Sequence, residues 1–93
     1  MMLKSPFIVE YIGTLFFLFV ILVTGNAYAI GLALTIAILL GGKISGGNFN
    51  PAVSIMMFLA GKLPENNLLP YIIAQILGGL TALFLYKNIK KYI

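Results

Sequence analysis

Three long apolar stretches constrain this 93-residue chain more than any other feature. A helix that crosses the ~30 Å hydrocarbon core of a lipid bilayer needs about 20 mostly apolar residues. Stretches near that length run over residues 7–24, 27–42 and 68–86. Since 61% of the residues are hydrophobic and 9% charged, a water-soluble fold would lack polar cover for its surface. The sequence therefore predicts an all-α, multi-pass protein of the plasma or cytoplasmic membrane, with three transmembrane helices in the lipid bilayer.

Local signals mark the ends of these spans. Ser5-Pro6 is typical of a helix start, and Gly25-Asn26 is typical of a turn. Gly41-Gly42 indicates the end of the second span, and Pro70 is expected in the first turn of the third. Three crossings place the two termini on opposite sides of the membrane.

A cleaved signal peptide is the alternative interpretation of the first span. Lys4 precedes the apolar run, and residues 27–29 (AYA) imitate a cleavage site. However, the run exceeds the roughly 7 to 15 apolar residues of a signal peptide, and Glu10 interrupts it early. We therefore interpret residues 7–24 as a retained helix.

A glycine-rich segment and a short apolar run separate the second and third spans. Residues 45–51 (SGGNFNP) contain too much glycine for a helix. The run that follows, from Pro51 to Ala60, would be about 15 Å long as a helix. That is half the ~30 Å core, so the run can enter the membrane but cannot cross it. Residues 45–60 are predicted to form a re-entrant loop and half-helix.

The tripeptide Asn50-Pro51-Ala52 begins this half-helix. Asn is a preferred N-cap whose amide NH2 stays free to donate outward, and Pro suits the first helical position. A half-helix that enters the membrane begins near the middle of the bilayer. Polar backbone there is tolerated only where protein buries it or where it lines a water-filled cavity. The helix start carries about half a positive charge, which repels cations, while the Asn amide can bind a passing oxygen. We interpret Asn50, Pro51 and Ala52 as lining a pore for water or neutral solutes.

Few titratable side chains are available for any other chemistry. The sequence has no Cys, His, Asp or Arg, and its only acidic residues are Glu10 and Glu65. It therefore predicts no metal site, no cofactor and no enzyme activity. The net charge of +4 rests on six lysines outside the apolar runs. We interpret them as interface anchors and expect no nucleic-acid partner.

Small residues recur at every fourth position of the second and third spans. In lipid, helices associate largely through close backbone approach along such faces. The expected packing positions are Ala29, Ala33, Ala37 and Gly41 in one span, and Ala74, Gly78 and Ala82 in the other.

Residues 45–54 (SGGNFNPAVS) resemble the first NPA loop of the aquaporin, or major intrinsic protein, family. Asn48 stands where His is common in that family, and Ser54 where Thr is usual. Residues 9–14 (VEYIGT) resemble the start of the family's first helix, and residues 71–75 (YIIAQ) resemble part of its third. The resemblance implies that residues 1–93 form one aquaporin-like half repeat, which the family follows with a second, inverted repeat in the same chain.

The resemblance also implies roles for individual residues. Asn50 would be a pore donor, with Glu10 and Gln75 supporting the loop backbone. The alternatives are that Glu10 reaches the membrane interface and that Gln75 makes a helix–helix hydrogen bond. The family's outer constriction uses an Arg after the second NPA motif and a residue on the second helix. The matching positions here are Val53 and Ile30, so two copies of this chain would form an apolar constriction.

The lysines also bear on how a second half repeat is supplied. Three lysines are expected on the N-terminal side of the membrane and three on the other: Lys4, Lys43 and Lys62 against Lys87, Lys90 and Lys91. Balanced charge specifies orientation weakly. We therefore expect an antiparallel, dual-topology homodimer that passes water or small uncharged solutes such as glycerol, with further clustering into a four-pore assembly as an option. The alternatives are pairing with a separately encoded second repeat, or a non-conducting relic or membrane-structural protein.

Overall fold

The computed structural model describes residues 4–93, and four α-helices account for most of this range. They are α1 (Pro6–Thr24), α2 (Ala27–Ser45), α3 (Pro51–Leu59) and α4 (Glu65–Ile89), and a 3-10 turn over Lys90–Tyr92 follows α4. Three helical segments are long and apolar enough to cross a membrane: α1, α2 and the segment Glu65–Tyr92. The predicted all-α fold of three spanning helices and one short helix is confirmed.

A two-residue turn ends α1 and begins α2. Gly25 adopts the left-handed conformation, with φ of 54°, and its N–H donates to the carbonyl of Ile21. The side-chain oxygen of Asn26 then accepts hydrogen bonds from the backbone N–H groups of Tyr28 and Ala29, each at 3.0 Å. Both helix ends are thus capped within the chain, as a helix end near lipid requires.

Two helices extend beyond the apolar stretches that predicted them. α2 continues past Gly42 to Ser45, where Gly46, with φ of 89°, provides the C-cap. Gly41 and Gly42 are tolerated inside α2, because a helix in a membrane keeps its backbone groups bonded where no water is present to bond them. α4 begins at Glu65, ahead of its apolar stretch, so Pro70 lies in its second turn and not in its first.

α1 lies at the centre of the bundle. α2 and α4 both pack against α1, and α3 packs against α4. Residue numbers rise together along α1 and α4, since Glu10 meets Gln75 and Leu18 meets Gly79, so these two helices are parallel.

The small residues of α2 and α4 face α1. A Cβ on Gly41 would lie 2.6 Å from Val9 Cγ1, and a Cβ on Gly78 would lie 2.7 Å from the Tyr11 carbonyl oxygen. The other predicted packing positions are also buried, except Ala29, which is half-buried. The buried members of the two registers are Ala33, Ala37 and Gly41, and Ala74, Gly78 and Ala82. Both faces therefore find a partner helix within the same chain.

Candidate functional site

The N-terminus of α3 presents a free amide. Asn50 is the N-cap, and its Oδ1 accepts a hydrogen bond from the backbone N–H of Ala52 at 2.8 Å. Pro51 occupies the first helical position, which needs no donor. The Asn50 side chain is exposed, and its Nδ2 has no hydrogen-bond partner among residues 4–93. Asn50 therefore caps the helix with one atom and leaves the other able to donate.

Glu10 of α1 holds the loop that leads to Asn50. Its Oε1 accepts from the backbone N–H of Phe49 at 2.7 Å, and its Oε2 accepts from that of Asn48 at 3.0 Å. Two side chains complete the set: Ser45 Oγ donates to Oε2 at 2.7 Å, and Gln75 Nε2 donates to Oε1 at 2.8 Å. Each carboxylate oxygen thus accepts two hydrogen bonds.

The Glu10 side chain is fully buried, with 0% of its surface exposed. A buried carboxylate is costly unless hydrogen bonds replace the water that it has lost. The four donors supply that replacement, and hydrogen bonds to an ionised oxygen are stronger than neutral ones. Glu10 therefore links α1, α2, α4 and the loop inside the bundle.

A second polar cluster ties α3 to α4. Ser54, in the first turn of α3, accepts hydrogen bonds at Oγ from Asn48 Nδ2 at 3.0 Å and from Gln75 Nε2 at 2.7 Å. Gln75 therefore bridges Glu10 and Ser54. The same amide group thus makes hydrogen bonds between helices and supports the loop through Glu10. All four side chains are buried.

Tyr71, one turn before Gln75 on α4, anchors the end of α2. Its hydroxyl donates to the carbonyl of Ser45 at 2.8 Å, and its ring meets Phe7 edge-to-face with ring centroids 5.9 Å apart. One orphan carbonyl at the C-terminus of α2 is thereby satisfied.

A cavity of about 450 Å³ lies beside Asn50. α1 contributes Thr14, Phe17 and Leu18 to its wall, and α4 contributes Ile76, Gly79 and Leu80, with Gln75 beside them. Gln75 lies two residues, roughly 3 Å along α4, from the midpoint of the apolar stretch 68–86, and a stretch of that length spans a ~30 Å hydrocarbon core. The cavity and the free Asn50 amide therefore lie near mid-membrane depth.

Two buried atoms of the cavity wall have no hydrogen-bond partner among residues 4–93, Thr14 Oγ1 and Gln75 Oε1. Buried polar atoms without a partner are uncommon in folded proteins. Apart from these residues and Asn50, the side chains of the wall are apolar.

The remaining predicted site residues are distributed along the chain. Pro51 and Val53 are half-buried in the first turn of α3, and Ala52 is exposed there. Ile30 is half-buried in the first turn of α2, roughly 22 Å along that helix from Ser45. Because Ser45 lies beside the loop, one chain does not bring Ile30 and Val53 together.

Three residues of the site were not predicted from the sequence: Ser45, Phe49 and Tyr71. Two more, Asn48 and Ser54, stood out only as departures from a motif. One signal was available for Ser45 and Asn48. A buried carboxylate needs about four donors, and the loop that Glu10 was expected to support offers a hydroxyl and several N–H groups. No comparable signal pointed to Tyr71, whose target is a backbone carbonyl.

Comparison with known proteins gives consistent matches along the chain. A family model described as Major intrinsic protein matches residues 2–92. The chain is 54% identical to Aquaporin Z of Brucella melitensis biotype 1 over 59 residues, which cover 62% of this chain and 25% of that protein. It is 42% identical to Aquaporin-8 of Mus musculus over 94 aligned residues, covering 89% of this chain and 36% of that protein.

A third relative carries a different name. The chain is 38% identical over 85 residues to Glycerol uptake facilitator protein-like 6 of Lactiplantibacillus plantarum, covering 82% of this chain and 39% of that protein. No solved structure matches the chain significantly. The chain thus matches only 25% to 39% of the length of these relatives.

Proposed function

Because the chain belongs to the major intrinsic protein family, we propose that it is a subunit of a membrane channel for water or small uncharged solutes such as glycerol. The names of its relatives, aquaporins and a glycerol uptake facilitator protein, support this class of solute. The observation that carries the proposal is the free Nδ2 of Asn50, which stands at a helix N-terminus beside a cavity near mid-membrane depth.

The site suits a neutral solute with an oxygen atom. Asn50 Nδ2 donates a hydrogen bond to that oxygen, and the apolar wall offers few competing partners. The N-terminus of α3 carries about half a positive charge, which repels cations at the same point. Glu10 and Gln75 hold the loop so that the amide keeps its place.

The pore needs a second half repeat. α3 has nine residues, about 14 Å, and so covers only half of the hydrocarbon core. The exposed Asn50 amide cannot face lipid, because lipid offers it no partner. We propose that a second, inverted copy of this chain covers the Asn50 amide. The pore would then lie at the interface of an antiparallel homodimer.

The distribution of lysines supports two orientations. Lys43 lies in the last turn of α2 and Lys62 follows α3, both at the end of the bundle where α1 begins. Lys87, Lys90 and Lys91 lie at the other end, in and after the last turn of α4. With Lys4, three lysines stand at each end, so neither end is strongly favoured for the cytoplasmic side.

Inversion of one copy would also bring Ile30 and Val53 to the same end of the pore. Ile30 lies at one end of the bundle, and the α3 helix of an inverted copy would run towards that same end. Ile30 of one copy would then approach Val53 of the other. Two-fold symmetry repeats this apolar constriction at both ends of the pore, with no fixed arginine at either end.

The direct test is the flux through reconstituted protein. Liposomes with the purified chain are followed by stopped-flow light scattering, first under an impermeant osmolyte and then under a glycerol gradient. Asn50→Asp keeps the capping oxygen but removes the donor and adds a negative charge. Asn66→Asp is the matched control, since Asn66 is exposed in the first turn of α4, outside the site.

We expect flux above that of empty liposomes for the wild type and Asn66→Asp, and little or none for Asn50→Asp. Wild-type protein that is folded and inserted but gives no flux would overturn the homodimeric channel. Flux that appeared only with a separately encoded second repeat would replace it with a heteromeric one.

A further inference from the structure

Phe49, the residue before Asn50, has an unusual backbone conformation. It is the one non-glycine residue among residues 4–93 with a positive φ, at 53°. At positive φ, a side chain is crowded by its own backbone, so this conformation persists only where the surrounding structure holds it. Phe49 is also 1% exposed, the most buried large apolar side chain of the described chain.

Two contacts hold Phe49 in place. Its backbone N–H donates to Glu10 Oε1 at 2.7 Å. Its ring lies in a slot between α1 and α2, where a Cβ on Gly13 would come within 2.7 Å of Cδ1 and Cζ, and a Cβ on Gly41 would lie 3.4 Å from Cζ. We call this the Gly13–Gly41 slot. The ring fits there because Gly13 lacks a side chain, and Gly41 borders the ring at van der Waals distance.

Phe49 also borders two cavities. It lines the cavity beside Asn50, and it lines a second cavity of about 590 Å³ between α1 and α2, whose other lining side chains are all apolar. We expect that loss of the ring would join the two spaces at this point. A solute beside Asn50 would then gain an apolar side passage instead of a single path.

We propose that Phe49 is a positioning residue, whose ring, held in the Gly13–Gly41 slot, sets the direction of the Asn50 amide and closes the cavity beside it. The Glu10 bond fixes the nitrogen of Phe49, and the slot fixes its ring. Together they determine the backbone torsions that lead directly into Asn50. The link to solute selection rests on the proposed channel function, whereas the link to the Asn50 amide does not.

A size exchange between positions 13 and 49 tests the proposal. Gly13→Ala fills the slot and displaces the ring, and Phe49→Leu shortens the side chain that occupies it. The double variant Gly13→Ala/Phe49→Leu restores the match in volume. Gly31→Ala is the control, because a Cβ on Gly31, also in a spanning helix, meets nothing within 4 Å.

The first measurement does not depend on conduction. The side-chain amide of Asn50 gives ¹⁵N–¹H NMR signals in protein held in lipid nanodiscs, and their loss in Asn50→Asp assigns them. We expect these signals to shift or broaden in Gly13→Ala and in Phe49→Leu, to return towards their wild-type positions in the double variant, and to stay unchanged in Gly31→Ala. Where Gly13→Ala does not fold, Phe49→Leu alone decides.

The second measurement is the ratio of glycerol to water flux in liposomes. We expect this ratio to change in both single variants and to recover in the double variant, which a general loss of stability would not produce. Folded single variants with unchanged Asn50 signals would overturn the positioning role. A wild type without flux would overturn the channel instead, while the NMR signals would still decide the role of Phe49.

Discussion

Glu10 Oε1 lies 2.7 Å from the backbone nitrogen of Phe49, a residue 39 positions away along the chain. Through this bond a side chain of the first spanning helix fixes the turn before the half-helix. A loop at this depth has no water to bond its N–H groups, so acceptors must come from the protein. Glu10 provides them for two consecutive residues, since its other oxygen accepts from Asn48.

Glu10→Gln should destabilise the fold strongly. The amide removes the charge and puts an NH2 group where one oxygen had accepted two hydrogen bonds. Since a hydrogen bond to a charged group contributes about 1.5–3 kcal/mol, we expect the free energy of unfolding to fall by about 2–4 kcal/mol. Denaturant unfolding in detergent, followed by circular dichroism, measures this loss.

Glu65→Gln is the matched control, because Glu65 is exposed in the first turn of α4. Its loss removes a favourable charge from a helix N-terminus, at a cost of about 0.3–1 kcal/mol. Equal losses in the two variants would show that the Glu10 hydrogen bonds contribute little.

Gly78→Ala should weaken the packing of α4 on α1. The added Cβ would lie 2.7 Å from the carbonyl oxygen of Tyr11 and 3.1 Å from the nitrogen of Leu15. Both are backbone atoms, which cannot rotate away as a flexible side chain can. Overpacking of this kind costs about 1–3 kcal/mol. Gly31→Ala meets open space and should be neutral, or stabilising by up to about 1 kcal/mol through helix propensity. Thermal unfolding of both variants compares them, and similar melting temperatures would contradict the contact.

The apolar stretches predicted the spanning helices well but located some of their ends poorly. Hydropathy detects residues that face lipid, whereas α4 begins at Glu65 with polar residues that hydropathy excludes. α2 continues through Gly41 and Gly42 because its carbonyls stay bonded within the helix, and it ends at the left-handed Gly46. Propensities measured in water, on which a glycine stop relies, carry less weight in a membrane.

The candidate site was predictable where one residue had a local role. Asn50 and Pro51 were identified because an N-cap and its following proline are adjacent in sequence. Partners separated by tens of residues, such as Glu10 with Ser45 or Tyr71 with the Ser45 carbonyl, depend on how α1, α2 and α4 pack. The conformation of Phe49 was not predictable, because it depends on the space that Gly13 leaves for the ring between α1 and α2.

Thr14→Val should leave the isolated chain at least as stable as the wild type. The Thr14 hydroxyl is buried without a partner among residues 4–93, and valine has nearly the same shape. Removing an unpaired buried polar group should stabilise the fold by about 1 kcal/mol. Thr35→Val is the control, since the Thr35 hydroxyl is exposed and bonds the Gly31 carbonyl of its own helix at 2.8 Å. A clear loss of stability in Thr14→Val would mean that this hydroxyl has a partner.

The balance of lysines predicts that small changes in charge will fix the orientation of the chain. Lys87→Gln/Lys90→Gln leaves three lysines at the end where α1 begins and only Lys91 at the other. Lys43→Gln/Lys62→Gln produces the opposite bias, with Lys4 remaining at its end. Since lysine-rich ends stay in the cytoplasm, each variant should insert mainly one way round. The chain has no native cysteine, so a single Asn66→Cys reports the orientation through its accessibility to a membrane-impermeant thiol reagent.

If the pore is antiparallel, these two variants also test how the chains assemble. A cell that produces one biased variant has few inverted partners, so its solute flux should fall well below that of the wild type. A cell that produces both variants together has partners in both orientations, and its flux should recover although every molecule carries two substitutions. The lysines lie at the ends of the bundle, away from Asn50 and its cavity, so recovery cannot come from repair of the site itself. Full flux from either variant alone, with one orientation established by labelling, would show that the pore does not need inverted copies of this chain.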